Sequence, residues 1–346
     1  MKIGIPTEVK VAERRVALTP RACKELVKAG HEVYLQKNAG KNAGYPDSEY
    51  EKAGVKFKPD AKSLYAVAEL IVKVKEPQPE EYRFIRPDHK LFCYLHLASD
   101  KGLVRGLQKS GCTAIAFETV VEDGKTPLLA PMSAIAGRLA VQIGTWLLHA
   151  PRGGRGVLLG GFSGFKSGKV TVIGAGVAGT EAAILAHNMG AEVTVLDINK
   201  ARLQELAKAH KGMQTMLSTP QAIASLLPTT DLLVGSVYVI GRRAPVVVSA
   251  EMVKTMPQGS VLVDISIDQG GCIATAAPCT HEAPKFVQSG VIHSCITNLP
   301  AAAPHTASQA LSEAIVSYVR QLASGRPGKA LKEAVNVKDG ELKILL

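Results

Sequence analysis

The 346-residue sequence lacks long apolar runs, and this absence argues against a membrane-spanning helix. A run such as 232–240 stops well short of the roughly 18 apolar residues that a transmembrane helix needs, and it is followed at once by glycine and arginine. The N-terminal residues show neither an apolar core nor a small-residue cleavage site, so no secretory signal is expected. These absences predict a cytoplasmic protein with no membrane partner.

The sequence also lacks the cysteine spacings that are typical of metal sites. Six cysteines are present, and none forms a CxxC pair or another paired ligand spacing. Reduced thiols of a cytosolic protein are the simpler interpretation. We therefore expect neither a disulfide framework nor a bound metal.

Basic residues are not grouped, although the formal net charge is +11. Lysines and arginines are spread along the chain with acidic residues among them, and there is no basic block, zinc finger or aromatic-interleaved stripe. A positive surface also attracts anionic small molecules. The charge therefore favours small-molecule partners, and no nucleic-acid partner is expected.

Strand-like and helix-like segments alternate along the chain, which is typical of α/β proteins with parallel sheets. A long helical pattern opens at Pro131 and runs to about residue 150. A glycine-rich stretch at 151–168 follows, and its shift in composition is the clearest boundary in the sequence. Strands are predicted at 1–6, 31–36, 69–74, 91–97 and 111–118 in a first series, and from 169 and at 191–196, 231–236 and 261–266 in a second.

A glycine fingerprint follows the first strand of the second series. Gly174 permits a tight turn, Gly176 lets the backbone approach a pyrophosphate, and Gly179 lets the next helix pack closely on the strand. The start of that helix offers N–H groups and partial positive charge to phosphates. Asp197 ends the second strand, 23 residues after Gly174, where an acid accepts hydrogen bonds from the adenosine ribose. The carboxylate favours NAD over NADP, a preference that the nearby Arg202 weakens.

These features predict an α/β fold of two Rossmann-like domains with parallel sheets, joined by long interdomain helices. Residues 131–299 are expected to form the NAD-binding Rossmann domain. Residues 1–130 are expected to form a substrate domain, which 300–346 complete. A helical pattern at 308–324 is interpreted as the segment that returns to the first domain.

Three polar residues lie near the carboxyl ends of predicted strands in the first half, where parallel sheets place their sites. They are Arg15, Lys75 and His96. An enzyme that oxidises an amino acid needs a cation for the carboxylate, a donor for the carbonyl or iminium, and acid–base groups. Structural interpretations stay open: a solvated charge for Arg15, a strand-end charge for Lys75 and a half-buried, hydrogen-bonded histidine for His96.

The chain contains six characteristic segments in this order: EVKVAERRVALTP, IVKVKEP, YLHLA, PLLAPMSAIAGRLAVQ, VIGAGVAGTEAA and VLVDISIDQGGC. Together they resemble, in the right order, the motifs of the alanine dehydrogenase/pyridine nucleotide transhydrogenase (PNT) family. The resemblance extends from residue 1 to about 310. It implies NAD-dependent, reversible conversion of L-alanine to pyruvate and ammonia by a homo-oligomer that is usually a hexamer.

The resemblance also implies roles for particular residues. Arg15 would hold the substrate carboxylate, Lys75 would bind and polarise its carbonyl oxygen, and His96 with Asp268 would be the acid–base pair. Asp268 follows an apolar strand and precedes two glycines, a pattern that a turn-forming aspartate also explains. Around the cofactor, the resemblance points to Ser133, Val177, Ala178, Asp197, Arg202, Ser218, Val237, Tyr238, Ile265, Ser266, Ile267, Asp268, Ile296, Thr297, Asn298 and Leu299, beside the three glycines.

The sequence departs from the family pattern at Ala134, Ala277 and His305, which affects cofactor contacts and the returning helix rather than the four catalytic and substrate-binding candidates. Two other functions stay open. One is the nucleotide-binding subunit of a proton-translocating transhydrogenase, against which the DQGG motif argues. The other is a non-catalytic NAD-binding protein, against which the four intact candidates argue. An amino acid close in size to alanine is an alternative substrate.

Overall fold

The computed structural model describes residues 1–239 and 243–344, which divide into two units. Unit 1 contains Met1–Met132 together with the described part of Ala301–Leu346, so both ends of the chain contribute to it. Unit 2 contains the described part of Ser133–Pro300. The predicted divisions at 130/131 and 299/300 differ from these limits by two residues or fewer.

The described residues form fifteen strands and eleven α-helices, numbered in chain order. The strands are β1 (Lys2–Ile5), β2 (Glu32–Gln36), β3 (Lys56–Lys58), β4 (Leu70–Val72), β5 (Lys90–Cys93), β6 (Thr113–Ala116), β7 (Lys169–Ile173), β8 (Glu192–Asp197), β9 (Gln214–Leu217), β10 (Leu232–Gly235), β11 (Val261–Asp264), β12 (Phe286–Gln288), β13 (Val291–Ser294), β14 (Val335–Lys338) and β15 (Glu341–Leu342). The helices are α1 (Pro20–Lys28), α2 (Asp47–Lys52), α3 (Ala61–Val67), α4 (Lys101–Ser110), α5 (Ala130–Leu147), α6 (Val177–Asn188), α7 (Lys200–Ala209), α8 (Pro220–Leu226), α9 (Ala250–Lys254), α10 (Pro304–Ala323) and α11 (Lys329–Glu333).

Unit 1 contains a sheet of the order β15-β14-β6-β5-β4-β1-β2-β3. The six strands from β6 to β3 are parallel, and their central members are continuous apolar runs, as strands covered on both faces must be. β14 and β15 are antiparallel, so at this edge the sheet departs from the parallel arrangement that the sequence predicts. The reason is local: β14 and β15 form a hairpin about Asp339 and Gly340, which both have positive φ, as such a turn requires.

Unit 2 contains a sheet of the order β12-β13-β11-β10-β7-β8-β9. Its six strands from β13 to β9 are parallel, and only the short edge strand β12 is antiparallel. Here too a hairpin produces the exception, with positive φ at Ser289 and Gly290. The α/β fold with mostly parallel sheets is confirmed.

The two long helices predicted to join the domains differ in position. Helix α5 runs across the division between Met132 and Ser133, whereas α10 lies wholly in unit 1. In unit 1, α10 anchors the loop after β1, because the Ser308 and Ser312 hydroxyls accept the N–H groups of Val16 and Thr19 at 3.0 and 2.9 Å. No helix of the described residues has the length and apolar character needed to cross a membrane.

The glycine-rich stretch at 151–168 lies inside unit 2, so interpreting it as the clearest boundary is wrong. Leu159 is fully buried in the core of this unit, and its carbonyl accepts the N–H of Gly168 at 2.9 Å, next to the start of β7. Arg155 forms an ion pair with Asp231 at 2.8 Å. These contacts bind the stretch to unit 2, although its composition is that of a linker.

Candidate functional site

Arg15, Lys75 and His96 follow the neighbouring strands β1, β4 and β5 of unit 1. The carboxyl ends of these parallel strands share one edge of the sheet, as expected for a site in an α/β fold. The Lys75 Nζ atom lies 3.5 Å from Nε2 of His96. The structure therefore brings these two side chains within contact distance.

Arg15 is buried, with 2% of the residue exposed, so a solvated surface charge is excluded. Its Nε donates to Oε1 of Glu13 at 2.7 Å, a second guanidinium nitrogen donates to Oε2, and a third contacts the Met132 sulfur at 3.1 Å. Burial lowers the pKa of Arg15, but the attraction of Glu13 outweighs burial, and the net shift is upward. The guanidinium is thus a fixed positive charge.

The backbone that carries Lys75 is held by Glu8 from the loop after β1. The Glu8 carboxylate accepts the N–H of Val74 at 2.6 Å and the N–H of Lys75 at 3.4 Å. The neighbouring Lys73 is fully buried and forms ion pairs with Glu8 at 3.3 Å and with Glu81 at 2.9 Å. Of the two lysines in this segment, Lys73 is therefore committed to a buried ion-pair cluster, and Lys75 faces His96.

His96 has a left-handed backbone conformation, with φ 49° and ψ 41°. Its ring is stacked on that of Tyr94, with centroids 5.8 Å apart and planes 10° from parallel. Burial, followed by the positive charges of Lys75, Lys10 and Arg15, holds the pKa of His96 well below its usual value. The imidazole is consequently neutral at neutral pH and able to accept a proton, while 32% of the side chain stays exposed.

In unit 2 the fingerprint glycines form the turn between β7 and α6. Gly174 has φ +101°, and a Cβ on Gly179 would overlap the carbonyl oxygen of Gly174. At Gly176, by contrast, no atom of the described residues lies within 4 Å of an added Cβ, and no side chain among them caps the start of α6. Two glycines are thus required by packing, and the third leaves open space at a helix N-terminus. This arrangement fits a dinucleotide pyrophosphate.

Asp197 lies at the end of β8, directly beside that turn. Its two carboxylate oxygens accept the N–H groups of Ala175 at 2.5 Å and Asn199 at 2.7 Å. A carboxylate oxygen has two lone-pair positions, so each can accept a further hydrogen bond from a ribose hydroxyl. Arg202 lies in the first turn of α7, and its side chain is exposed.

Asp268 belongs to the turn Ile265–Gln269, which follows β11 in unit 2. Both of its carboxylate oxygens lie 3.3 Å from the N–H of Asn298, so the turn is brought next to the segment after β13. The turn is organised by Asp264, which the sequence reasoning missed. Its carboxylate accepts the N–H groups of Ser266, Cys272 and Ile273 at 2.8 to 3.1 Å. The signal that points to Asp264 is an acidic residue at the end of the apolar strand VLVD.

Most other residues expected around the cofactor follow parallel strands of unit 2 at the same edge of its sheet. The buried Ser266 hydroxyl has no oxygen or nitrogen partner among the described residues, and the thiol of Cys272 is only a weak one, as expected of a group that meets a ligand. Ser133 differs, because it lies in the first turns of α5. Val177 and Ala178 follow β7, Ser218 follows β9, Val237 and Tyr238 follow β10, Ile265, Ser266 and Ile267 follow β11, and Ile296, Thr297, Asn298 and Leu299 follow β13.

The three departures from the family pattern have different surroundings. His305 stacks on Tyr45 with centroids 4.8 Å apart, and its Nδ1 donates to the carbonyl of Ala43 at 2.8 Å, so it has a packing role in unit 1. Ala134 lies near the start of α5, and Ala277 lies in the loop that leads to Cys279. Nothing in the structure explains the alanines at these two positions.

Together, these features define a class of protein: an α/β chain with a dinucleotide-binding turn in one unit and a cationic site with a neutral histidine in the other. Family models place the chain more narrowly. "Alanine dehydrogenase/PNT, N-terminal domain" matches residues 4–136, and "Alanine dehydrogenase/PNT, C-terminal domain" matches residues 140–344. The second match follows the chain order and includes residues that the structure assigns to unit 1.

Similar proteins point to the same family. The chain is 46% identical to an alanine dehydrogenase of Halomonas elongata, over 99% of this chain and 94% of the relative. It is 44% identical to an alanine dehydrogenase of Bacillus subtilis, over 98% and 90%. A solved L-alanine dehydrogenase matches with a TM-score of 0.94 and 44% identity, over 99% and 97%. A transhydrogenase from Sinorhizobium meliloti has a TM-score of 0.86 at 23% identity over 99% of each chain, which shows the fold alone.

The chain belongs to the alanine dehydrogenase/PNT family, which confirms the resemblance seen in the sequence. Membership implies a pyridine nucleotide cofactor, and the turn around Gly176 is the part of this structure that fits one.

Proposed function

We propose that the chain is an NAD-dependent alanine dehydrogenase, which converts L-alanine to pyruvate and ammonia and catalyses the reverse reaction. One observation carries the proposal most directly. The Lys75 ammonium and the neutral His96 imidazole lie 3.5 Å apart, at a sheet edge that also carries the buried Arg15. The identity of 44 to 46% to named alanine dehydrogenases, over nearly the whole chain, supports this substrate.

Arg15 is proposed to bind the substrate carboxylate. A guanidinium presents donors in a planar fork that matches a carboxylate, and the Glu13 ion pair holds this fork in one orientation. Lys75 is proposed to bind the carbonyl oxygen of pyruvate. Its positive charge would stabilise the negative charge that develops on this oxygen when water or ammonia adds to the adjacent carbon.

His96 is proposed as the general base and acid. Its lowered pKa keeps the imidazole unprotonated, so that a ring nitrogen is available to accept a proton from the alanine ammonium or from the attacking water and to return it in the reverse direction. A bound nicotinamide would supply the hydride acceptor for the α-carbon of alanine, and water would hydrolyse the resulting substrate iminium to pyruvate and ammonia. Asp268, from unit 2, is proposed as the second acid–base residue.

NAD rather than NADP is the proposed cofactor, because the Asp197 carboxylate beside the glycine turn would repel a 2′-phosphate. Gly174, Gly176 and Gly179 would hold the pyrophosphate, and Ser266 would supply a hydroxyl. On the family resemblance alone, we also propose a cytoplasmic homo-hexamer whose only ligands are small molecules. Mass photometry of the purified chain tests the assembly, and a monomer or dimer would contradict it.

The test mixes purified protein with NADH, pyruvate and ammonium, and follows the nicotinamide absorbance. NADH should disappear only when all three are present, and much more slowly when NADPH replaces NADH. Absence of turnover, despite NADH binding shown by fluorescence titration, would refute the proposed alanine dehydrogenase activity. It would favour a non-catalytic or partner-dependent nucleotide-binding protein.

A further inference from the structure

The three candidate substrate-site residues of unit 1 share one structural device. The backbone N–H of each is accepted by a buried or largely buried glutamate carboxylate. Glu13 accepts the N–H of Arg15 at 3.0 Å, Glu8 that of Lys75 at 3.4 Å, and Glu118 that of His96 at 2.6 Å. Carboxylates are costly to bury, so their repeated use as backbone acceptors at this sheet edge indicates that the site needs these three backbone segments held in place.

His96 is the member of this set whose backbone is strained. Its φ of 49° lies in the left-handed region, which few non-glycine residues occupy, although histidine is found there more often than most. Such a conformation persists only where the surroundings hold it in place, and it is common at functional sites. Some contact must therefore oppose the relaxation of this peptide to an extended conformation.

Glu118 makes the contact that opposes relaxation. It lies in the turn Phe117–Thr119 after β6, the strand that pairs with β5. One oxygen, Oε1, accepts two successive N–H groups, from Leu95 at 3.1 Å and from His96 at 2.6 Å. Two neighbouring N–H groups point at one atom only when the chain turns between them, so this oxygen fixes the turn that carries the imidazole.

We propose that Glu118 is a positioning residue for the reaction: its carboxylate holds the backbone of His96 in the left-handed conformation and so places the imidazole next to Lys75. The inference rests on the proposed function, because it acts through the proton-transfer role of His96. Without the Glu118 carboxylate, both N–H groups lose this acceptor and the peptide relaxes. The imidazole then leaves its place 3.5 Å from the Lys75 ammonium.

Substitution of Glu118 separates this role from simple stabilisation. Glu118→Ala removes the acceptor and should lower kcat by about 100-fold, since a displacement of about 1 Å of a reacting group has effects of this size. KM for NADH and the Kd of NADH should change less than about 2-fold, because the residues that fit the nucleotide lie in the other unit. Glu118→Gln keeps an Oε1 able to accept both N–H groups, and should retain most of kcat. Glu80→Ala, at an exposed glutamate of the same unit, is the control and should match the wild type.

A double-mutant cycle with His96 tests whether Glu118 acts through that residue. If it does, adding Glu118→Ala to His96→Ala should lower kcat by less than about 2-fold further. A crystal structure of Glu118→Ala should show φ of residue 96 outside the left-handed region.

Additive losses in the cycle, an unchanged kcat in a folded Glu118→Ala protein, or a retained left-handed φ would each overturn the proposal. If Glu118→Ala does not fold, a Glu118→Gln protein of normal thermal stability whose kcat is nevertheless lowered by about 100-fold would overturn it as well. Failure of the wild type to reduce NAD with alanine would instead refute the proposed function.

Discussion

The buried Glu8 should make the stability of the protein depend on pH in a direction that the structure fixes. Only 3% of its side chain is exposed, and burial raises its pKa from 4.5 to about 7, while Lys73 opposes the shift and Glu13 adds to it. The folded state thus binds this proton more tightly than the unfolded state. The associated stability is complete below about pH 4.5, and it is lost as the pH rises through 7.

The magnitude follows from the two pKa values. At about 1.4 kcal/mol per pH unit, the difference amounts to roughly 3 kcal/mol, most of which is lost between about pH 5 and pH 8. Glu8→Gln cannot ionise, but its amide oxygen can still accept the Val74 N–H, and Glu81 still pairs with Lys73. The variant should therefore lose about 2 to 3 kcal/mol less stability than the wild type between these two pH values.

Urea unfolding followed by circular dichroism at pH 5 and pH 8 measures this difference. Titrating groups distant from the Glu8 cluster are common to both proteins and cancel in the comparison. Glu80→Gln, at an exposed position, should follow the wild-type curve. The same pH dependence in Glu8→Gln and in the wild type would show that the Glu8 pKa is ordinary, and would refute the account of the ion-pair cluster.

Two further predictions concern turnover and cofactor binding. His96→Ala should lower kcat by about 10² to 10⁴-fold and leave the Kd of NADH within about 2-fold, because the imidazole is assigned to proton transfer alone; unchanged turnover would remove that role. Gly179→Ala should lower both the melting temperature and NADH affinity, since its Cβ meets the Gly174 carbonyl. Gly176→Ala, whose Cβ meets open space, should weaken NADH binding by about 10-fold at an unchanged melting temperature. Scanning calorimetry and fluorescence titration distinguish the two glycines, and equal effects would contradict the assigned packing.

Much of the fold could be predicted because local patterns agree with it. The strand Leu70–Val72 is a short apolar run bounded by polar residues, and α10 starts at Pro304, a residue that favours the first turn of a helix. The antiparallel edge at β14 escaped prediction. The Asp339-Gly340 turn is a local signal for its hairpin, but the pairing of β14 with β6 joins residues more than 200 positions apart.

The positions of the candidate site residues could be predicted from strand ends, but their supporting contacts could not. Glu118 and Glu8 belong to loops that carry no motif of their own. They become significant only because β6 pairs with β5 and β1 pairs with β4, and this strand order is not written in any local pattern. The left-handed backbone of His96 is likewise a consequence of those contacts rather than of its own sequence context.

The proposed reaction is tested most directly by following the α-hydrogen of alanine. The protein is incubated with NAD and L-alanine deuterated at the α-carbon, and the NADH formed is examined by mass spectrometry and proton NMR. The proposed reaction yields NADH that carries deuterium at C4 of the nicotinamide, together with pyruvate and ammonia in equal amounts. NADH formed without deuterium, or no NADH from a protein that binds NAD, would contradict it.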